Sequence, residues 1–411
     1  MRIVLFTGKG GVGKTTIAAA TGVRAAGAGL RTLVMSTDPA HSLADALDVE
    51  LGSDASEVAP GLWAEQVDAQ ARLEQNWREI QEYMVALLNW GGVEAIEAEE
   101  LSVLPGLDEI FSLIDINRHE QSGEYDLLIV DCAPTAETLR LLSLPDALNW
   151  YIQRVFPSGR RLASVIRPVT KRMGSLPPIA EDRVFAAVER LYRNLERVRV
   201  LLSEPRTSTV RLVVNPEKMV IAEARRTFTY LALFGYRVDA VVVNRLLPDD
   251  VTDPYFKTWK RIQAKHFETV KEAFSPVPIL TARLHQREIV GPKLLGEMAG
   301  EIYGDLDAAA VLYEDQPMSI QEEPDGFLLT LRLPFAQKGE VDVSRRGDEM
   351  FVRLGGHKRI FLLPHGLRRC EVKQASLRDG ELEIRFVKPA REETGEPERE
   401  KRARSARRQK R

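Results

Sequence analysis

Residues Gly8 to Thr15 read GKGGVGKT and follow directly on the apolar run Ile3 to Phe6. The stretch fits G-x-x-x-x-G-K-[ST], a loop joining a first strand to a first helix, whose backbone N–H groups converge on phosphate oxygens. That mechanism needs a buried strand before the loop and a helix after it, and the Ala-rich run Ile17 to Ala26 supplies the helix. An ordinary Gly-rich turn is the alternative, and it would not require those flanks. Gly8, Gly10, Gly11 and Gly13 keep side chains out of the path of a phosphate, with Val12 and Thr16 completing the lining. Lys14 is expected to reach the β- and γ-phosphates of a nucleotide, and Thr15 to place its hydroxyl on Mg²⁺. A second lysine, Lys9, points away from the work of its own loop. Its expected use lies across a twofold axis, at the nucleotide of a second copy, as an arginine finger would act.

The chain has 411 residues, enough for two domains, and its 44% hydrophobic content is ample for a core. Met1 runs straight into strand and loop, and no uncharged run is long enough to span a bilayer, so the expectation is a cytoplasmic protein. Cys132 and Cys370 are the only cysteines and fall in different expected domains, which supports neither a disulfide framework nor a thiolate metal site. Six scattered histidines add no ligand spacing. The net charge of −3 is uneven: from Pro389 onward there are nine Lys/Arg against five Asp/Glu, so the basic part is a tail.

Taken in order, Thr32 to Ser36 (TLVMS) reads as a second buried strand, with Asp38 just beyond it. Ligands gather beyond the carboxyl ends of parallel strands, which brings Asp38 near the γ-phosphate. Asp38 also suits a helix cap with Pro39 at the first helical position, and both roles can hold. From Trp63 to Leu104 the pattern turns helical without strands, with Leu73, Trp77, Ile80, Met84 and Leu87 at three- and four-residue steps. A second helical region lies between Trp150 and Glu204, where Val184, Val188, Leu191, Leu195, Val198 and Leu202 form an apolar stripe that reads first as core. Leu127 to Val130 is a short strand ending in Asp131, a position that holds Mg²⁺ through a bound water. Cys132 beside it reads as a small core residue. Strands follow at Val210 to Val214, Ala240 to Val243 and Pro278 to Leu280, and a helix through about Tyr313 closes the domain.

The lysine-rich loop, STDPAHSL (Ser36 to Leu43) and DCAPTAETLRLLSLP (Asp131 to Pro145), in that order, resemble the ArsA family of ATPases. That family includes the arsenite-pump ATPase and the eukaryotic ATPase that targets tail-anchored membrane proteins. The resemblance covers roughly residues 1 to 313 and implies a doubly wound, mainly parallel α/β P-loop fold with helical insertions at about 62–104 and 150–204. It implies that Asp38 is the switch I aspartate that orients the attacking water, and that Asp131 opens switch II. It further implies that Asn244 reads adenine, and that Arg287 and Glu288 belong to an adenine-side loop. A turn role is the alternative for Asn244. Switch II departs from the family pattern at Cys132, Ala136 and Glu137, so the family's switch coupling is not carried over there. The family's insertions form an apolar groove across a dimer; this chain offers it only Met84 and Met173. The zinc-binding CxxC of the eukaryotic targeting ATPases is missing between Asn244 and His285, so zinc is not expected, and two distant cysteines do not reproduce the metalloid site of the pump.

Residues 314–325 (EDQPMSIQEEPD) read as a linker, and beyond them the pattern becomes all-β. Alternation at Phe327, Leu329, Leu331 and Leu333 is followed by short strands at 341–343, 350–354, 359–363, 371–375 and 382–386, a small sandwich over 326–388. Its LP, FLLP and AxLxDGxLxI strings (Leu333-Pro334, Phe361 to Pro364, Ala375 to Ile384) resemble the small heat-shock protein, or α-crystallin, domain. It reads equally as a holdase or as a docking module. The tail, 389–411, reads as a disordered solubilising extension, with nucleic acid or anionic lipid the less favoured contact.

These features together lead to the expectation of a homodimeric, Mg²⁺-dependent ATPase whose ATP state gates an apolar helical groove. Its partners would be hydrophobic client segments or a membrane receptor, with no nucleic acid. The alternatives are the motor subunit of an arsenite pump and a nucleotide-switched scaffold that does not hydrolyse.

Overall fold

The computed structural model describes residues 1–38, 42–68, 78–83, 85–86, 89, 107–132 and 182–388. Eight strands form the central sheet: β1 (Arg2–Thr7), β2 (Thr32–Ser36), β3 (Ser56–Ala59), β4 (Leu62–Gln66), β5 (Leu127–Asp131), β6 (Ser208–Val214), β7 (Val238–Leu246) and β8 (Ile279–Arg283). Their order is β3-β4-β2-β5-β1-β6-β7-β8, and only the β3–β4 pair is antiparallel. β2, β5 and β6 are buried along their whole length, which is why they read as continuous apolar runs rather than alternating ones. β1 lies between β5 and β6, and the chain departs first to the β2 side and later to the β6 side. A crevice at the carboxyl ends beside β1 follows from that reversal.

The described helices are α1 (Lys14–Gly27), α2 (Ser42–Leu47), α3 (Leu107–Ser122), α4 (Asp182–Ser203), α5 (Lys218–Phe234), α6 (Pro254–Phe274) and α7 (Pro292–Tyr303), besides a helical stretch at 78–83. α1 and α7 pack together and share a hydrogen bond between the Thr21 and Tyr303 hydroxyls at 2.7 Å. The stripe on α4 is core: Val184, Leu191, Leu195, Val198 and Leu202 are buried and Val188 is partly so, with α4 packed on α3.

Three expectations are corrected. Trp63 to Gln66 is not the start of a helical region but most of β4, whose five residues pair in register with Thr32 to Ser36. Its two polar residues, Glu65 and Gln66, disguise a strand because both are buried with specific partners. Of that helical expectation, Ile80 is buried within the 78–83 helix, whereas Leu73, Trp77, Met84 and Leu87 lie outside the described residues, as does Met173. The helix expected to run to about Tyr313 stops at Tyr303, where Gly304 takes φ 51°. Buried arginines then capture the chain: Arg211 donates to the carbonyls of Ala308 (2.7 Å) and Ala310 (3.0 Å), and Arg2 to that of Ala309 (3.1 Å). Asp239 joins them, accepting from Arg211, Arg2 and the Leu312 backbone N–H, each at 3.3 Å.

The third correction concerns the linker. Met318–Glu323 is a strand, β9, paired antiparallel with β10 (Gly326–Arg332). It is a mostly solvent-facing edge, so its polar composition says nothing against pairing. Then come β11 (Val341–Arg346), β12 (Glu349–Leu354), β13 (His357–Leu362), the short α8 (His365–Arg368), β14 (Glu371–Arg378) and β15 (Glu381–Val387). Two antiparallel sheets result, β14-β15-β10-β9 and β11-β12-β13, enclosing Leu329, Leu331, Met350, Val352, Ile384 and Phe386. Asp379 (φ 48°) and Gly380 (φ 77°) make the tight turn between β14 and β15.

The sandwich is seated on α5. Thr229 donates its hydroxyl to the Pro334 carbonyl, Arg359 donates to the Leu233 carbonyl at 2.6 Å, and the Tyr230 and His357 rings lie 4.1 Å apart. Phe335 sits edge-on to Phe228 and Phe274, with the Arg225 guanidinium 4.4 Å over its ring.

Candidate nucleotide site

β1 ends at Thr7, and α1 begins at Lys14, so the loop between them is fixed at both ends by the core. Gly13 holds a left-handed conformation (φ 91°, ψ 31°), and a Cβ there would lie 2.4 Å from the Asn244 amide nitrogen. At Gly8 a Cβ would meet the Val213 carbonyl oxygen at 2.3 Å. Both positions therefore exclude every other residue. On the outer side of the loop no heavy atom of the described residues lies within 4 Å of where a Cβ would stand at Gly10 or Gly11, which leaves room there for a ligand.

Asp131 is completely buried at the end of β5. Thr15 donates its hydroxyl to Asp131 Oδ2 at 2.7 Å and Ser36 donates to the same oxygen at 3.3 Å. Burial pushes the carboxyl up to about 6, opposed by the Thr15 hydrogen bond and the Lys14 charge and reinforced by the nearby Asp38 carboxylate. Ser36 also accepts from the Asp38 backbone N–H at 3.3 Å, and Gln66 Nε2 donates to the Asp38 carbonyl at 3.3 Å. Lys14, Thr15, Asp38 and Asp131 thus gather at the carboxyl ends of β1, β2 and β5.

The donor set fits Mg²⁺. Asp131 Oδ1 is buried with no hydrogen-bond partner among the described residues, and the Thr15 hydroxyl stands beside the same carboxylate. One carboxylate and one hydroxyl, completed by phosphate and water oxygens, suit a cation that keeps several waters. No cluster of three His, Cys, Asp or Glu side chains that could hold a metal occurs among the described residues.

Asn244, buried at the end of the central part of β7, donates to the Val12 carbonyl at 2.9 Å and accepts from the Arg245 backbone N–H at 2.8 Å. One N–H and one lone pair remain for a purine edge. Beyond it opens a cleft of about 810 Å³ lined by Gly13, Thr16, Asn244, Arg287, Glu288 and Met298. The residues expected on the adenine side therefore line one cleft, although Arg287 and Glu288 are exposed and Arg287 pairs with Glu297 at 3.6 Å. Lys9 is half-buried, and its ammonium has no hydrogen bond or ion pair among the described residues. Cys132 is buried and burial pushes its thiol far up, the behaviour of a core residue. The switch II residues from Ala133 onward, Ala136 and Glu137 included, lie outside the described residues, as do Pro39 to His41.

Sequence reasoning missed Ser36 and Gln66. A polar residue closing a fully buried strand at its carboxyl end is the signal that identified Asp131, and it applies to Ser36 at the end of β2, whereas β4 did not read as a strand.

A Gly-rich loop running from the central strand of a parallel sheet into a helix, with a buried aspartate on the neighbouring strand facing the first helical threonine, defines a P-loop nucleoside triphosphatase. Residues 1–304 match the family model described as anion-transporting ATPase of the ArsA type, and residues 324–386 match that of the HSP20-like domain found in ArsA. The chain belongs to the ArsA ATPase family, and its sandwich is that family's HSP20-like domain. A protein of Chlorobaculum tepidum named as a candidate arsenical pump-driving ATPase is 41% identical over 391 residues, covering 94% of this chain and 96% of the relative. A like-named Aquifex aeolicus protein is 36% identical over 394 residues, 93% of this chain and 99% of its own. An ATPase ASNA1 homolog of Entamoeba dispar is 27% identical over 299 residues, 71% of this chain and 90% of its own.

Proposed function

We propose that this chain hydrolyses ATP with Mg²⁺ as a homodimer and uses the nucleotide cycle to gate an apolar surface for hydrophobic or membrane-protein segments. The observation that carries the reading is the contrast within one loop. Thr15 is already joined to Asp131 and through Ser36 to Asp38, while Lys9 on the same loop has no partner among the described residues of its own chain. Lys9 therefore serves the nucleotide of a second copy, where its charge offsets that developing on the transferred phosphoryl group. Asp38 orients water for in-line attack, Lys14 and the loop N–H groups hold the phosphates, and Asn244 with Arg287 and Glu288 takes the base. Thr15 and Asp131, the latter through a water, would hold Mg²⁺, which would supply charge neutralisation to the phosphates. Residues 1–313 form the ATPase unit, and the tail expected at 389–411 lies outside the described residues.

The stripe on α4 is packed inward, so exposing apolar surface is the work assigned to the cycle. No described helix is long and apolar enough to cross a membrane. The second reading, a pump motor, takes its support from the relatives' names, and two buried cysteines, Cys132 and Cys370, speak against a thiolate metalloid site.

The test is ATP turnover and sedimentation of wild type, Lys9→Ala and Asp38→Asn, with and without a transition-state phosphate mimic. Wild type is expected to dimerise with the mimic, and both variants to bind ATP but lose turnover. A wild type that stays monomeric, or an active Lys9→Ala, overturns the shared site. Stimulation by arsenite would favour the pump.

A further inference from the structure

We propose that Gln66 is a positioning residue of the hydrolytic site, anchoring switch I through the Asp38 carbonyl, and that the Glu65–His119 pair ties that anchor to α3. The proposal rests on the reading of Asp38 as the residue that orients water.

β4 ends at Gln66, beside Ser36 in the sheet register. Ser36 bridges the Asp131 carboxylate and the Asp38 N–H, and Gln66 holds the Asp38 carbonyl from the other side. The Asp38 peptide groups are thus fixed by two adjacent strands. The Gln66 side chain is 6% exposed, and its Oε1 has no partner among the described residues, leaving one buried acceptor for a donor that arrives beside Asp38. The strand is pinned in turn by its neighbouring residue. Successive side chains leave a strand on opposite faces, so Glu65 points away from Gln66. It is fully buried, with Oε1 2.7 Å from His119 Nε2 and Oε2 accepting from Arg118 at 3.3 Å. Arg118 is further steadied by Asp115 at 3.7 Å, and all three partners lie on α3, which packs on α4. A shift of switch I after phosphate loss therefore pulls on β4 and loads α3 directly. Two buried polar residues at adjacent positions of a strand are costly unless both are paired, and here the pairings run to the switch and to the helix.

The experiment combines steady-state kinetics with hydrogen exchange of α3 in the ADP and transition-state-mimic states, on the full chain, for wild type, Gln66→Leu and Glu65→Gln. Gln66→Leu is expected to lower kcat about tenfold with KM for ATP within about twofold, because a positioning contact acts on the transition state more than on binding. It should also erase the difference in α3 exchange between the two states. Glu65→Gln, which removes the charge and keeps only one of the two acceptor oxygens, is expected to keep at least about half the wild-type kcat while reducing the α3 difference. A Gln66→Leu enzyme with unchanged kcat, or with lowered kcat and an intact α3 difference, overturns the proposal. So does a proportional rise in KM alone, which marks loss of binding. Wild type without turnover overturns this proposal together with the function it rests on, whereas the preceding outcomes leave ATP hydrolysis standing.

Discussion

Replacing Asp131 with asparagine should make the ligand-free protein more stable while removing its chemistry. The carboxyl is pushed from 3.8 to about 6, chiefly by burial. At about 1.4 kcal/mol per pKa unit, ionising it costs the folded state about 3 kcal/mol relative to the unfolded chain. The sign follows from the raised value. The group's contribution is fully favourable below the unfolded value near 3.8 and is lost as pH rises through about 6. The side-chain amide introduced by Asp131→Asn would carry no charge and still offer an acceptor to Thr15. Urea denaturation between pH 4 and 8, with chelator and without nucleotide, should show the variant and wild type equal near pH 4. The variant should gain up to about 3 kcal/mol by pH 7.5, with unchanged m-values. Mg²⁺ and ATP should close that gap by stabilising wild type, and variant turnover should fall at least about a hundredfold. A variant less stable than wild type at pH 7.5, or a stability difference flat with pH, refutes the reasoning. It would mean that Asp131 is held ionised by contacts stronger than its burial.

Two further outcomes follow from the amino-end cluster and the corrected linker. Asp239→Ala leaves the fully buried Arg211 and the largely buried Arg2 without their carboxylate, so global stability should drop by about 3–5 kcal/mol in urea titration. A fragment of residues 318–388 should unfold cooperatively by circular dichroism, whereas 326–388, which lacks β9 and bares the β10 edge, should be measurably less stable or associate.

The loop and its flanks were legible because their chemistry allows no substitute. Gly8 and Gly13 each face an atom that a side chain would strike, and Lys14 and Thr15 follow from the phosphate and the cation. The apolar runs of β2, β5, β6 and β7 were legible because strands buried on both faces need no alternation. β4 was not, because Glu65 and Gln66 look like surface residues until His119, Arg118 and Asp38 are seen around them. β9 was not, because four of its six residues are polar and an edge strand declares itself only through its partner, here β10. The end of α7 depended on Arg211 and Arg2, whose carbonyl acceptors lie about a hundred and three hundred residues away along the chain. Asn244, expected to read adenine, lies beside the loop of Gly8 to Thr15 and spends half of its hydrogen-bonding capacity on that loop and on its own neighbour.

The attachment points divide the sheet. Ser36, Gln66 and Asp131 stand on β2, β4 and β5, to one side of β1, and through Glu65 that side carries α3. The sandwich is attached on the other side, to α5, which links β6 to β7. α5 starts just past the carboxyl end of β6 and returns toward the amino ends, so the residues that grip the sandwich, Arg225 to Leu233, lie toward the end of the helix remote from the phosphate loop. A movement of switch I therefore reaches α3 within one strand, but it must cross β5, β1 and β6 to reach the sandwich. Those strands form the most completely buried part of the core and resist deformation. On this geometry the sandwich is fixed to the half of the sheet that carries β6 and β7, and the switch motion proposed above would act on the half that carries β2, β4 and α3.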